Sequence, residues 1–242
     1  MPHTTYLVAA TAFDKRTGDY GDEKKLQVVY PFAITKLAPL LSGNILEIGS
    51  GNGAFCRYAC RQGTNCDGLE INSELLARSK ERDTKLQLSI KYFEGDAADS
   101  QTARIYSNYN TFISIFSLQD MHDPSSVIKV LEKHISHSFR FIVIIESYHY
   151  MTSRLIRHTT RRRNVPTSDT DGARFKSYID WGGGEESESF CRLDEYYLNI
   201  TSINNLEIFD FGYFGNSKFP YKILSCLNNK LKPFFYFVCG KS

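Results

Sequence analysis

The sequence predicts an α/β protein, with a mainly parallel sheet of seven strands covered by helices on both faces. Two observations carry this reading. Short apolar runs alternate with stretches of helical periodicity through the first 145 residues, the pattern of a parallel sheet whose crossovers are helices. A glycine-rich turn, Gly49-Ser-Gly-Asn-Gly53, also joins the first strand to the helix after it. Turns of this kind stand where such sheets meet their ligands.

The elements follow in order. Leu26 to Leu41 has apolar residues at helical spacing and ends at Ser42-Gly43, a stop signal. Asn44 to Ile48 is a short buried strand, and Ala54 to Arg61 the helix beyond the glycine turn. Cys66 to Ile71 is the second strand, followed by a helix over Ser73 to Asp83 with Asn72 or Ser73 as its cap. Ser89 to Phe93 and Thr111 to Leu118 are the third and fourth strands. Asp123-Pro124, a cap followed by proline at the first helical position, opens a helix to Ile135. Phe139 to Ile145 is apolar almost throughout, as expected of a strand buried on both faces.

There the alternation breaks. Ser147 to Gly184 is polar and arginine-rich, interrupted by Pro166, Gly172 and Gly182-Gly-Gly184. A helix over Leu193 to Ser202 then precedes two strands, Leu206 to Phe214 and Phe234 to Cys239, whose short separation suits an antiparallel pair at the sheet edge.

Composition narrows the class. With 242 residues, 42% of them hydrophobic and 23% charged, the chain reads as an ordinary soluble domain. A net charge of +2 is too small to argue for nucleic acid or a membrane. No apolar run reaches the roughly 20 residues that span a bilayer. Met1 to Tyr6 lacks the basic head and apolar stretch of a secretory signal, so a cytoplasmic protein is expected. Cys56, Cys60, Cys66, Cys191, Cys226 and Cys239 form no C-x-x-C pair. Buried, reduced thiols and no metal site are therefore expected.

The glycine turn has two readings. Gly49-x-Gly51-x-x-Ala54 fits the relaxed dinucleotide fingerprint, which brings nicotinamide and flavin enzymes into consideration. Glu47, two residues before the first glycine, separates the cases. A carboxylate there repels a pyrophosphate but attracts an ammonium group, and S-adenosylmethionine (SAM) carries both an α-amine and a sulfonium. Glu70 ends the second strand, where a carboxylate can take both ribose hydroxyls, a feature shared with nicotinamide enzymes. Asp96 follows the third strand and can accept from an adenine amine, or serve as an ordinary turn residue.

Asn44-Ile-Leu-Glu-Ile-Gly-Ser-Gly-Asn-Gly53 resembles the first motif of class I SAM-dependent methyltransferases, with Gly68-Leu-Glu-Ile71 and Glu94-Gly-Asp-Ala97 like the second and third. Ser114 to Pro124 resembles the fourth-strand motif and its loop. The resemblance implies a Rossmann-like doubly wound fold with an antiparallel C-terminal edge strand. It implies a single domain, made of a helical lid (1–43), a SAM-binding core (44–146), a substrate-binding insertion (147–192) and a C-terminal helix with edge strands (193–242). It also implies that SAM is held by Tyr20, Glu47, Gly49, Ser50, Gly51, Gly53, Glu70, Ile71, Asp96, Ala97, Phe116 and Ser117. A narrower likeness is to small bacterial-type methyltransferases of the type 11, ubiquinone-biosynthesis-like group. Against that pattern this chain has Tyr150 after His149, Phe190-Cys-Arg-Leu193 where a Phe-His-Arg-Pro-Leu segment is usual, and Asn110 before the fourth strand.

Transfer from a sulfonium is an in-line displacement with a neutral leaving group, so alignment and exclusion of water dominate. A base is needed only when the acceptor carries a proton that must leave. His149 and His122, just past the fifth and fourth strands, are the candidates, with Asp120 third. Tyr20, His122, His149, Arg154 and Trp181 are expected to line the acceptor site. If the start of the insertion is helical, Arg154, Arg157 and Arg161 share a face and can grip an anionic acceptor, or simply face water. The expected partner is thus a small molecule. A methyltransferase acting on RNA, tRNA or protein through Arg161-Arg-Arg163 is the second reading, and a non-catalytic SAM- or nucleotide-binding protein or a dehydrogenase the third.

Overall fold

The computed structural model describes residues 25–37, 44–156, 162–167, 172–182, 185–215 and 232–242. The main sheet has seven strands: β1 (Ile45–Ile48), β2 (Cys66–Glu70), β3 (Tyr92–Glu94), β4 (Thr111–Ile115), β5 (Phe139–Glu146), β9 (Glu207–Phe214) and β10 (Phe234–Lys241). Their order is β3-β2-β1-β4-β5-β10-β9. β1 pairs in parallel with β2 and β4, β2 with β3, and β4 with β5. β10 runs antiparallel to both neighbours, β5 and β9, so the C-terminal pair closes one side of the sheet as expected. The last strand is tucked one place in, and β9 forms the edge. Between β1 and β4 the strand order reverses, which is where open α/β sheets bind ligands.

The period-2 rule sorts the strand side chains into two apolar layers. Leu46 and Ile48 of β1, Phe112 of β4, Phe141, Val143 and Ile145 of β5, and Phe235 and Phe237 of β10 face one side. There they meet Val127, Ile128 and Leu131 of α4 (Pro124–His134), and Tyr197 and Ile200 of α6 (Asp194–Ile203). The alternate residues Ile45, Ile113, Ile142, Ile144, Phe234 and Tyr236 face the other side. They pack on Ala33 of α1 (Tyr30–Leu37), on Phe55, Cys56 and Ala59 of α2 (Ala54–Arg61), and on Leu76 of α3 (Ser73–Leu86). Both faces of β1, β4 and β5 are thus buried, which accounts for their largely apolar sequences.

Helix entries use the expected chemistry. The Asn72 side chain accepts from the backbone N–H of Glu74 at 2.9 Å and Leu75 at 3.2 Å, and Asp123 accepts from that of Ser126 at 3.2 Å. Between α2 and α3 a fully buried ion pair, Arg57 to Asp83 at 3.3 Å, ties the helix after the glycine turn to its neighbour.

Four elements differ from the sequence expectation. The first helix opens with a π-helical turn, Lys25–Val29, before α1, and its expected end at Ser42-Gly43 lies outside the described residues. α3 runs on to Leu86, closed by Gln87 with φ 56°, and the amide of Lys91 donates to the Asp67 side chain, so β3 begins only at Tyr92. β4 ends at Ile115 rather than Leu118, because Phe116 turns left-handed (φ 63°) and a 3-10 turn, Leu118–Asp120, follows. The arginine-rich stretch, for which no strand was expected, holds α5 (Tyr148–Ile156) and a separate antiparallel sheet. Its strands are β6 (Arg162–Pro166), β7 (Ala173–Gly182) and β8 (Glu185–Arg192), in the order β6-β7-β8. Arginine and glycine content obscured the two-residue alternation of Ala173, Phe175, Ser177 and Ile179.

Removing one partner of a buried ion pair strands the other charge, at about 3–5 kcal/mol. Asp83→Ala is therefore expected to lower the unfolding free energy by that amount in urea titration with an unchanged m-value, and Arg57→Met with Asp83→Leu to recover much of it.

Candidate active site

The site is built from the carboxyl ends of β1, β2 and β4. Past Ile48 the chain folds back over β2, with the N–H groups of Gly49 and Ser50 both donating to the Leu69 carbonyl at 2.8 and 2.9 Å. Gly49 has φ 71°, and a methyl group on it would fall 2.3 Å from the β-carbon of Ser117. Only glycine fits that position. Ser117 in turn donates to the Ile48 carbonyl at 2.8 Å and lies 2.5 Å, Oγ to Oγ, from Ser114. Gly51 is the converse case: φ is 56°, yet a β-carbon there would meet nothing within 4 Å. The left-handed backbone leaves room for a ligand to approach the chain closely.

Two carboxylates flank this loop. Glu70, 1% exposed, accepts from the Gly51 N–H at 2.8 Å and the Asn72 N–H at 3.0 Å, one bond to each oxygen. Burial raises its pKa, and the N–H groups of Gly51 and Asn72 pull it back. A carboxylate has about four acceptor positions, so it can still take ribose hydroxyls. Glu47, 3% exposed, accepts from the Cys56 thiol at 3.0 Å. Desolvation pushes its pKa up to about 8, against the Cys56 hydrogen bond and the Lys25 charge, while Glu70 adds to the rise and Arg57 opposes it. The thiols of Cys56 and Cys66 touch at 3.7 Å behind it, as buried reduced cysteines.

The other expected cofactor residues are placed as follows. Ser50 is buried with no hydrogen-bond partner for its hydroxyl among the described residues. Gly53 lies at φ 73° as the residue before α2. Ile71 is half-buried just past β2. Asp96 is exposed and accepts from the Ala98 N–H at 2.8 Å, the geometry of a turn residue, and the carbonyl of buried Ala97 accepts from the Tyr106 hydroxyl at 2.8 Å. Phe116 donates its N–H to the Ile144 carbonyl at 2.8 Å and packs its ring 5.5 Å from that of Phe234. Tyr20 lies outside the described residues.

The acceptor candidates separate. His149, half-buried in α5, stands edge-on to the Tyr148 ring at 5.7 Å, and burial raises the pKa of nearby Asp194. His122 is exposed and edge-on to the Phe190 ring at 5.6 Å. Asp120 accepts from the Ser189 hydroxyl at 2.6 Å. Arg154 lies in α5 and Trp181 in β7, while Arg157 and Arg161 fall outside the described residues.

Two residues stand out that sequence reading did not select. Arg192, 2% exposed at the end of β8, donates to the carbonyls of Met121 at 3.0 Å and His122 at 2.7 Å and stacks between the rings of Phe190 and Tyr196. With Ser189 it fastens the insertion to the loop after β4. Its signal was the arginine that the family segment and Phe190-Cys-Arg-Leu193 share. Lys25, with its ammonium 5.2 Å from the Phe116 ring centroid, had no signal of its own. Among the described residues there is no cluster suited to a metal ion and no helix long and apolar enough to cross a membrane.

The strand order, the glycine turn and the flanking carboxylates define a class, the SAM-dependent methyltransferase fold. A methyltransferase from Clostridium acetobutylicum superposes with a TM-score of 0.61 at 15% identity, over 88% of this chain and 90% of that one. The CcbJ methyltransferase from Streptomyces caelestis does so with a TM-score of 0.66 at 14% identity, over 100% of each chain. More particularly, residues 46–143 match the methyltransferase domain family of type 11. A malonyl-(acyl-carrier protein) O-methyltransferase of Pectobacterium atrosepticum is 33% identical over 105 residues, 41% of this chain. The match spans about 40% of the length of that relative.

Glu47 sets a pH dependence whose sign is fixed. Its folded pKa, about 8, lies above the ordinary value of 4.5, so the folded protein holds a proton that the unfolded chain has released between those two pH values. Its contribution to stability is full below the lower value and is lost as pH rises through the upper one. Relative to Glu47→Gln, the ligand-free protein should lose about 2 kcal/mol between pH 6 and 8, seen in thermal melts as a Tm gap that widens with pH and levels off beyond about pH 9.

Proposed function

We propose that this chain is a SAM-dependent methyltransferase whose acceptor is a small, anionic molecule. The observation that carries the reading is the convergence of a left-handed, uncrowded Gly51 with the buried carboxylates Glu47 and Glu70 at the point where the strand order reverses. An orphaned buried hydroxyl on Ser50 fits the same role, since it lacks a partner that a ligand can provide.

Bound here, the cofactor supplies an electrophilic methyl on a sulfonium that leaves as a neutral thioether. Glu47 holds the α-ammonium, Glu70 orients the ribose, and Gly51 admits the backbone to close range. The left-handed turn at Phe116 directs the chain across the mouth of the site, and the insertion excludes water. His149, half-buried next to Asp194, is the base for an acceptor that must lose a proton; exposed His122 serves as a lining residue. An acceptor that already carries a carboxylate needs no base, and the arginines of the insertion, Arg154 among them, suit such a group. That the Pectobacterium relative is named an O-methyltransferase of a malonyl group is consistent with an acidic acceptor.

Isothermal titration should show S-adenosylhomocysteine binding and no NADH binding. Binding requires one proton to leave the pair formed by Glu47 (about 8) and the ligand α-amine, ordinarily about 7.7–8.0. Affinity is therefore expected to climb towards about pH 8 and to decline above it. Gly51→Arg should abolish binding and keep the fold, since its side chain meets open space and only the left-handed backbone costs about 1–2 kcal/mol. NADH binding with no response to S-adenosylhomocysteine would falsify the reading. Radiolabelled methyl transfer should appear in small carboxylic acids and not in tRNA.

A further inference from the structure

Lys25 opens the π-helical turn Lys25–Val29, and such turns are rare and concentrate at functional sites. The turn is anchored rather than loose. Val29 is fully buried, and Tyr30, the next residue, packs edge-on against Phe55 of α2 at 5.4 Å. That anchorage carries Lys25 to the ligand edge of the sheet. Its ammonium stands 5.2 Å from the ring centroid of Phe116, just past β4, and its charge acts on Glu47 in β1. Because β1 and β4 are adjacent strands, the contact with Phe116 places the ammonium at the ligand edge of the sheet, beside the end of β1.

The cofactor's amino-acid end is a zwitterion. Glu47 answers its ammonium but repels its carboxylate, and Glu70 adds a second negative charge near by. Arg57, the other cation acting on Glu47, is fully buried and paired with Asp83 behind the loop. We propose that Lys25 is a cofactor-binding residue, its ammonium taking the α-carboxylate of SAM while Glu47 takes the α-ammonium. This rests on the SAM reading of the site. The contact of Lys25 with Phe116 is a cation–π interaction at a partly exposed position. A carboxylate displaces it with a charge-assisted hydrogen bond.

The test compares two ligands that differ by one group, S-adenosylhomocysteine and its decarboxylated analogue, by titration calorimetry on the full chain. Lys25→Met should weaken S-adenosylhomocysteine about tenfold to a hundredfold, the range of a charged hydrogen bond, and leave the analogue within about twofold. Lys25→Arg should keep most of the affinity for both. Equal weakening of the two ligands in Lys25→Met, or no weakening of either, overturns the proposal. A wild-type protein that binds neither ligand overturns the SAM reading itself, and the role of Lys25 with it.

Discussion

The loops after β1 and β4 approach each other until there is no space for a single methyl group between Gly49 and Ser117. Much of the site depends on this contact. Ser117 reaches across to the Ile48 carbonyl, so the end of β1 is bonded to the loop of its neighbour as well as to its own sheet partners. The glycine turn then has one course, back over β2 through the Leu69 carbonyl, which brings the Gly51 N–H to Glu70. Phe116, immediately before Ser117, must accept a left-handed backbone to deliver the serine. A non-glycine residue in that region costs on the order of 1–3 kcal/mol and persists where the surroundings enforce it.

Rigid placement of this kind has an electrostatic consequence. Glu47 and Glu70 are held out of water whether or not a ligand is present, so the ligand-free protein bears the desolvation of both. Glu70 is compensated by the backbone N–H groups of Gly51, Asn72 and Ile71, Glu47 mainly by a thiol, a weak donor. The difference decides their chemistry. Glu70 serves as an acceptor already committed to the fold, whereas Glu47 has unmet capacity for a cation. In the proposed function that imbalance, more than the glycines, favours an ammonium-bearing cofactor over a pyrophosphate, since the glycines suit both.

How much of this was legible in the sequence follows from which forces are local. β1 and β5 lie within about a residue of their expected places, because strands buried on both faces are largely apolar. Asn72 and Asp123 cap their helices as read, since capping depends on neighbours in the chain. The carboxylate positions were legible too, because a charge at the end of an apolar strand is anomalous. Phe116 was not, as its backbone is set by a tertiary contact and carries no glycine to announce it. The π turn was hidden because Leu26, Val29 and Tyr30 satisfy helical spacing equally well with one extra residue in the turn. β7 and β8 were missed for another reason, that both lie in a small sheet where polar residues are common.

Among the described residues, a set of polar bonds joins the insertion to the main sheet. Arg192 grips the Met121 and His122 carbonyls, Ser189 meets Asp120, and Asp194 accepts from the Tyr148 N–H at 2.9 Å and the Tyr213 hydroxyl at 2.9 Å. Each of these anchors lies on the loop after β4, at the start of α5 or on β9, and none on the glycine turn. Among the described residues, the glycine turn and its carboxylates are therefore built without hydrogen bonds from the insertion. In the proposed function the glycine turn and its carboxylates serve the cofactor and the insertion serves the acceptor. The family match covers residues 46–143, from β1 to β5, and leaves out the insertion.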